Sequence, residues 1–516
     1  MIARCYSGSI NGVDASTIEI EVYAAKSTSS FAIVGLPDTA VKEAKDRVST
    51  ALKNSGYKTK EEFAVTVNLA PADVRKEGPI YDLPIAICLL KATARLATEA
   101  LDEYGLVGEL SLSGRVRRVR GILPIVMEMR RIGKRAVLVP EENVEEASVV
   151  EGIDVIPVNT LREAAQYLSG EIRIEPRYTD LADLVARDKN GGEDFADVKG
   201  QQTAKEALEI AVAGGHNVLL IGSPGSGKTM LARRVPSILP PMSVEEALEV
   251  SRIHSVAGRE KGAGTFVTRR PFRAPHHTVS SIGLLGGGTH PMPGEVSLAH
   301  RGVLFLDEFA EFPRAALEVL RQPLEDGHVG VSRAAAACDY PSRFMLIAAM
   351  NPCPCGYHNS GDSHECRCNQ AQIVKYQSKV SGPLLDRIDL QVGVYAVKPD
   401  ELESMKSGVP SAVIRERVVR AREIQAERYK GLDGVITNAD LPGRYLKDAC
   451  KLTDAAVKRV RHTIESLSLS ARAYDRVLRV SRTIADLKGS DAVDEEHVFA
   501  AAAFRELDRE DGGFWL

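Results

Sequence analysis

At 516 residues, 44% hydrophobic and 26% charged, the chain holds enough material for about three domains, each with a sizeable core. Its net charge of −4 excludes a global positive field that would draw in nucleic acid, but not a local basic channel. No stretch approaches the ~20 apolar residues of a membrane span, and the start Met1-Ile2-Ala3-Arg4-Cys5-Tyr6-Ser7 lacks a signal-peptide pattern, so a cytoplasmic protein with no membrane partner is expected.

Residues 1–170 mix β-rich runs (Thr17–Tyr23, Phe63–Leu69, Arg135–Pro140) with helical stretches. One amphipathic helix is expected over 38–54, after the turn Gly35-Leu36-Pro37-Asp38, with Asp38 as its N-cap. A polar segment at 171–193, ending Asp188-Lys189-Asn190-Gly191-Gly192-Glu193, reads as a linker. Residues 194–395 alternate helical patterns with short apolar runs, as an α/β nucleotide-binding core does. Residues 396–516 turn helical, with apolar positions three and four apart over 411–430 and 470–488.

Within the middle block, Gly222-Ser223-Pro224-Gly225-Ser226-Gly227-Lys228-Thr229 fits the phosphate-binding P-loop. Its glycines let successive N–H groups curl toward phosphate oxygens. Lys228 supplies charge to the β- and γ-phosphates of ATP, and Thr229 a hydroxyl to Mg²⁺. The apolar run Val218-Leu219-Leu220-Ile221 precedes the loop as a strand, and a helix continues through Met230. A second strand, Val303–Leu306, delivers Asp307 and Glu308 about 80 residues later, the Walker B pattern: Asp307 to hold Mg²⁺, Glu308 to polarise the attacking water. Taken alone, such a strand ending can equally be a helix N-terminus. A third strand, Phe344–Met350, ends at Asn351, either a sensor 1 amide or a turn residue before Pro352.

Between Asn351 and the next ATPase element lie Cys353, Cys355, Cys366 and Cys368. Two Cys-x-Cys hooks inside sixteen residues can supply four thiolates to a structural Zn²⁺, with His358 and His364 as spare donors; unmetallated or redox cysteines are the alternative. Cys5, Cys88, Cys338 and Cys450 are isolated and read as core residues. Arg387, in Leu384-Leu385-Asp386-Arg387-Ile388-Asp389, is either locally salt-bridged or a finger for a neighbouring subunit's γ-phosphate. Arg472 opens a helix in the last block and is a sensor 2 candidate; Arg476, Arg479 and Arg482 share that helix and leave the assignment open among the four, their plain reading being a solvated basic face.

The segments Arg270–Thr278, Gly286-Gly287-Gly288, Pro293–His300 and Cys353-Pro354-Cys355-Gly356, together with the first block, resemble the YifB/ComM family of magnesium-chelatase-like AAA+ proteins along essentially the whole chain. The resemblance implies a hexameric ATPase of the helix-2-insert class, with hairpin inserts at about 276–298 and 326–343 and a helical lid. Arg333 in the second insert would then be a candidate phosphate contact. His276-His277 would be either part of the first insert's function or a hydrogen-bonded structural pair. ComM-type members are similar to DNA helicases that drive branch migration during natural transformation; a chelatase-type motor subunit and a protein remodeller are the alternatives.

Asn68–Pro79, Gly108–Val116 and Leu138–Asn143 resemble the Lon protease C-terminal fold, an α+β domain. A Ser-Lys dyad needs a nucleophile beside a base. Here the corresponding segments read Ile80-Tyr81-Asp82-Leu83 and Arg120-Gly121-Ile122-Leu123-Pro124, so a non-proteolytic domain is expected. Arg115, Arg117, Arg118 and Arg120 form a basic run that faces either phosphate or solvent.

Overall fold

The computed structural model describes residues 1–57, 62–187, 193–258, 266–288, 291–333, 336–359, 364–396, 408–467 and 470–505. In the first block, Ile18, Ile20, Val22 and Ala24 alternate inward along the strand Asp14–Lys26 while Glu19, Glu21 and Tyr23 face outward. That strand sits inside a seven-stranded sheet ordered Ser30–Val34, Phe63–Ala70, Asp14–Lys26, Ile2–Asn11, Tyr104–Leu106, Ala136–Pro140, Asp154–Val158. Asp14–Lys26 runs antiparallel to both neighbours, and the other pairings are parallel. The helices Asp82–Ala92 and Ile122–Arg131 are mostly buried and pack across the long strands.

Asp38 does cap a helix, its carboxylate accepting from Val41 N at 2.7 Å. The single helix expected over 38–54 is two, Thr39–Lys42 and Ala44–Asn54, because Glu43 between them has ψ −14°, short of the helical value. The segment read as a linker also carries structure: Leu181–Arg187 is helical, with Leu181 and Leu184 packed on the first block's core.

The second unit is a five-stranded parallel sheet ordered Phe272–Arg273, Val303–Leu306, Met345–Met350, Val218–Ile221, Leu390–Gly393. Its three central strands are buried at every residue, as parallel strands covered on both faces must be. Parallel pairing puts all strand carboxyl ends on one edge, where the P-loop, Asp307 and Asn351 emerge. Two antiparallel ribbons branch from the core: Gly286–Gly287 with Met292–Pro293, and His328–Arg333 with Ala336–Pro341. The Arg333 side chain lies outside the described residues.

Helices Ser411–Arg428, Gly443–Cys450, Asp454–Leu467, Ala471–Leu487 and Glu495–Ala503 follow. They share one apolar cluster with the core helix Gln202–Gly214 and the sheet. The first block's apolar cluster, in turn, extends into the second unit through Met242, Ala247, Val250 and Phe266. Arg252 pairs with Asp14, and Gly121 N donates to Ser255 O at 3.0 Å across the same boundary. No helix among the described residues is long and apolar enough to cross a membrane.

Candidate active site

Ile221 hands the chain directly to the P-loop, and Gly227, at φ +96°, takes a conformation that disfavours a side chain before the helix Lys228–Arg234 begins. Lys228 Nζ donates to Gly222 O and Ser223 O, both at 2.8 Å, and lies 3.3 Å from Asn351 Oδ1. Burial strips water from this ammonium and pushes its pKa down to about 8, with Asp307 pulling part of the way back. Thr229 Oγ1 donates to Asp307 Oδ2 at 2.7 Å, and Asp307 Oδ1 accepts from Glu308 N at 2.9 Å. A hydroxyl and a carboxylate side by side form an oxygen-only donor pair, which suits a hard cation such as Mg²⁺. Lys228, Thr229, Asp307 and Asn351 are thus brought together at one edge of the sheet.

Glu308 leaves the strand in the left-handed region, φ +53°, an uncommon conformation for a residue with a side chain. Its carboxylate meets His277: Nδ1 to Oε2 is 3.0 Å. The two histidines therefore divide. His276 Nδ1 bonds Thr278 Oγ1 at 2.9 Å, the structural role, while His277 touches the site. Sequence reasoning did not separate them. The available signal was their position just after Phe272–Arg273, the strand beside the one that carries Asp307.

The cysteine hooks close on themselves. Cys353 Sγ lies 3.3 Å from Cys355 Sγ and 3.7 Å from Cys366 Sγ, Cys355 and Cys366 are 3.6 Å apart, and all four sulfurs lie within 4.8 Å of one another. Tetrahedral Zn²⁺ with ~2.3 Å bonds sets its sulfurs roughly 3.8 Å apart, so the donor set fits that ion. Burial opposes the thiolate, yet the backbone N–H groups of Arg367 and Tyr357 bring Cys355 down to about 6. His364 stacks on Tyr357 at 5.0 Å and is not among the clustered ligands. The loop also leans on the P-loop: a Cβ at Gly356 would sit 2.5 Å from Pro224 Cδ. Nothing in the residue spacing indicated that contact.

The arginines lie elsewhere. Arg387 precedes the strand Leu390–Gly393, whose first residue pairs with Val218, so it sits at the amino edge of the sheet. The P-loop is one four-residue strand away, roughly 13 Å. Arg387 Nε donates to Arg321 O at 3.1 Å and Nη1 to Pro383 O at 2.7 Å, and Nη2 pairs with Glu325. It lines a cleft of ≈690 Å³ together with Arg472, Arg476 and Arg479. Arg472 is exposed. The other three on its helix are not a solvated face. Arg476 lies 3.5 Å from Asp389, Arg479 donates to Leu441 O at 2.9 Å, and Arg482 is buried on Asp486 at 3.0 Å. Helix amphipathicity hid this, because the helix is packed on two sides. Burial works against the Asp389 charge, but His216, Arg476 and the Asn217 N–H hold its carboxyl well below the usual range.

In the first block, the segment where a dyad serine would be sought is buried, and Asp82 accepts from Arg47 Nε at 2.7 Å. The basic run scatters: Arg117 pairs with Glu109 at 3.3 Å and Arg118 with Glu146 at 3.8 Å.

Residues 194–402 match the family described as "Magnesium chelatase, subunit ChlI", residues 408–505 its C-terminal family, and residues 20–143 "Subunit ChlI of Mg-chelatase". The chain is 42% identical to "Uncharacterized protein YifB" of Escherichia coli over 500 residues, 96% of each chain. It is 42% identical to "Competence protein ComM" of Haemophilus influenzae over 511 residues, 98% of each. The "Magnesium-chelatase 38 kDa subunit" of Rhodobacter capsulatus is 24% identical over 323 residues, covering 59% of this chain and 84% of that one.

Proposed function

The chain belongs to the YifB/ComM family of magnesium-chelatase-like AAA+ ATPases, and on that premise we propose that it is a cytoplasmic homo-hexameric motor that moves branched or single-stranded DNA, as in branch migration. The observation that carries the reading is the division of its polar groups between the two edges of one parallel sheet. ATP sits at the carboxyl edge of one subunit, its phosphates on the P-loop amides and Lys228, with Thr229 and Asp307 holding Mg²⁺. Glu308 takes a proton from the attacking water as the water oxygen bonds to the γ-phosphorus and the bond from that phosphorus to the β–γ bridging oxygen breaks, releasing ADP and phosphate; Asn351 orients the same water or the γ-phosphate. Mg²⁺ held by Thr229 and Asp307 would supply positive charge against the phosphates. Arg387 and Arg472, at the far edge, act on the neighbouring subunit's nucleotide. Arg387 exchanges its Glu325 partner for phosphate when subunits meet.

Loss of the γ-phosphate loosens that seam, and the two ribbons move with it. Cys353, Cys355, Cys366 and Cys368 would hold zinc, which would brace the loop that leans on Pro224. The first block is a non-proteolytic, Lon-like platform for the ring. The match to a chelatase subunit supports a second reading, a motor that powers metal insertion into a tetrapyrrole.

The test is the ATPase rate with and without four-way DNA, for the wild type and for Glu308→Gln. Stimulation by DNA and junction movement, both reduced about 10²-fold or more in the variant, are expected. A rate indifferent to DNA removes the DNA motor and favours the chelatase reading.

A further inference from the structure

Glu308 is the group that activates water, yet its side chain is 59% exposed. An exposed glutamate with free torsions samples many positions, and only a narrow set of them places an oxygen for proton transfer. Among the described residues its carboxylate has one side-chain partner, His277, at 3.0 Å. The imidazole is itself held. It lies against His276 at a tilt of 34°, with ring centres 4.1 Å apart, and makes an edge contact with Phe312 at 6.4 Å. His276 in turn is fixed by Thr278.

We propose that His277 is the positioning residue of the hydrolytic carboxylate: its Nδ1–H holds Glu308 Oε2, leaving Oε1 to face the water. A carboxylate only accepts, so the contact requires the proton on Nδ1, in the neutral or the charged ring. The tether comes from the first turn of the insert. Two residues on, Val279 packs into the same apolar cluster as Leu284 and Leu285, and Ser280 caps the helix Ser281–Leu285. The side chain that orients the base is thereby covalently continuous with the ribbon Gly286–Gly287/Met292–Pro293. This proposal rests on Glu308 being the base.

The experiment compares the full-length wild type with His277→Ala, His277→Asn, His277→Gln, Glu308→Gln and the double variant His277→Ala/Glu308→Gln. ATP affinity, kcat and thermal melting are measured for each. An Asn amide N–H lies as far from Cβ as Nδ1–H does, whereas a Gln amide matches Nε2. His277→Ala should lower kcat about 10²-fold while ATP affinity and melting stay unchanged. His277→Asn should recover most of the rate and His277→Gln little. The double variant should be no slower than Glu308→Gln, because nothing remains to be positioned. A wild-type rate in His277→Ala, a loss of ATP affinity that parallels the loss of rate, better rescue by Gln than by Asn, or additive losses in the double variant would each overturn the proposal. If Glu308→Gln itself turns over normally, the assignment of the base is wrong, and the positioning role goes with it for that separate reason.

Discussion

The two edges of the five-stranded sheet are built from opposite materials. At the carboxyl edge, Lys228 lies within reach of Asn351 and Thr229 bonds Asp307, whose carboxylate also accepts from the Glu308 N–H. At the amino edge the cleft collects guanidinium groups, with Arg387 tied to Glu325 and Arg476 to Asp389. One edge has the groups proposed to bind and split a triphosphate, with Lys228 as the lysine found there among the described residues. The other has cations and no phosphate cradle. The sheet between them is rigid and buried, so neither set can reach the other in the same chain. Complementary halves on opposite edges are what a ring of identical subunits requires.

The strongest way to break this comparison is to mix defects. Arg387→Ala alone should lower turnover about 10³-fold while ATP still binds. Lys228→Ala should abolish binding. Mixed in equal amounts, the two inactive variants should regain measurable turnover, since some seams would join an intact P-loop to an intact arginine. No recovery across a range of mixing ratios would place both halves of the chemistry within one chain.

A milder probe is pH. Lys228 in the free protein releases its proton near pH 8, whereas a lysine held by phosphate keeps it. Binding above pH 8 therefore requires proton uptake. ATP affinity should be flat below about pH 7 and fall by up to about tenfold per unit above pH 8. Affinities at pH 7, 8 and 9 test this, and a flat profile would separate Lys228 from phosphate recognition. The smallest effect concerns the cysteine loop. Metal analysis should give one zinc per chain. Cys353→Ser should lose it and weaken ATP binding by about 1 kcal/mol, near fivefold, because the loop rests on Pro224. Full metal content in the variant, or unchanged affinity after metal loss, would show the loop and the P-loop to be independent.

Much of the carboxyl-edge arrangement was legible before folding, because it is carried by local signals: a glycine-rich turn between an apolar run and a helix, and two carboxylates closing another apolar run. What escaped notice is non-local. His277 meets Glu308 only because Phe272–Arg273 pairs beside Val303–Leu306, a strand order that spacing does not encode. Gly356 rests against Pro224, a contact between segments far apart in the chain that no local pattern encodes. Arg476, Arg479 and Arg482 looked like a wetted face because a helical pattern records polarity, not which neighbours arrive to neutralise it. The split at Glu43 and the helix Leu181–Arg187 both fall in stretches rich in good helix formers, so propensity alone located neither the break nor the boundary between helix and linker.

Met242, Ala247, Val250 and Phe266 belong by sequence to the ATPase but by packing to the amino-terminal half. Cutting the chain between residues 187 and 193 would therefore strip an oily patch bare on both fragments. Neither piece expressed by itself should stay dispersed in water, whereas the two produced together should find each other again. The halves are better regarded as a single casting than as two detachable parts, and a displacement in one would be delivered to the other without slack.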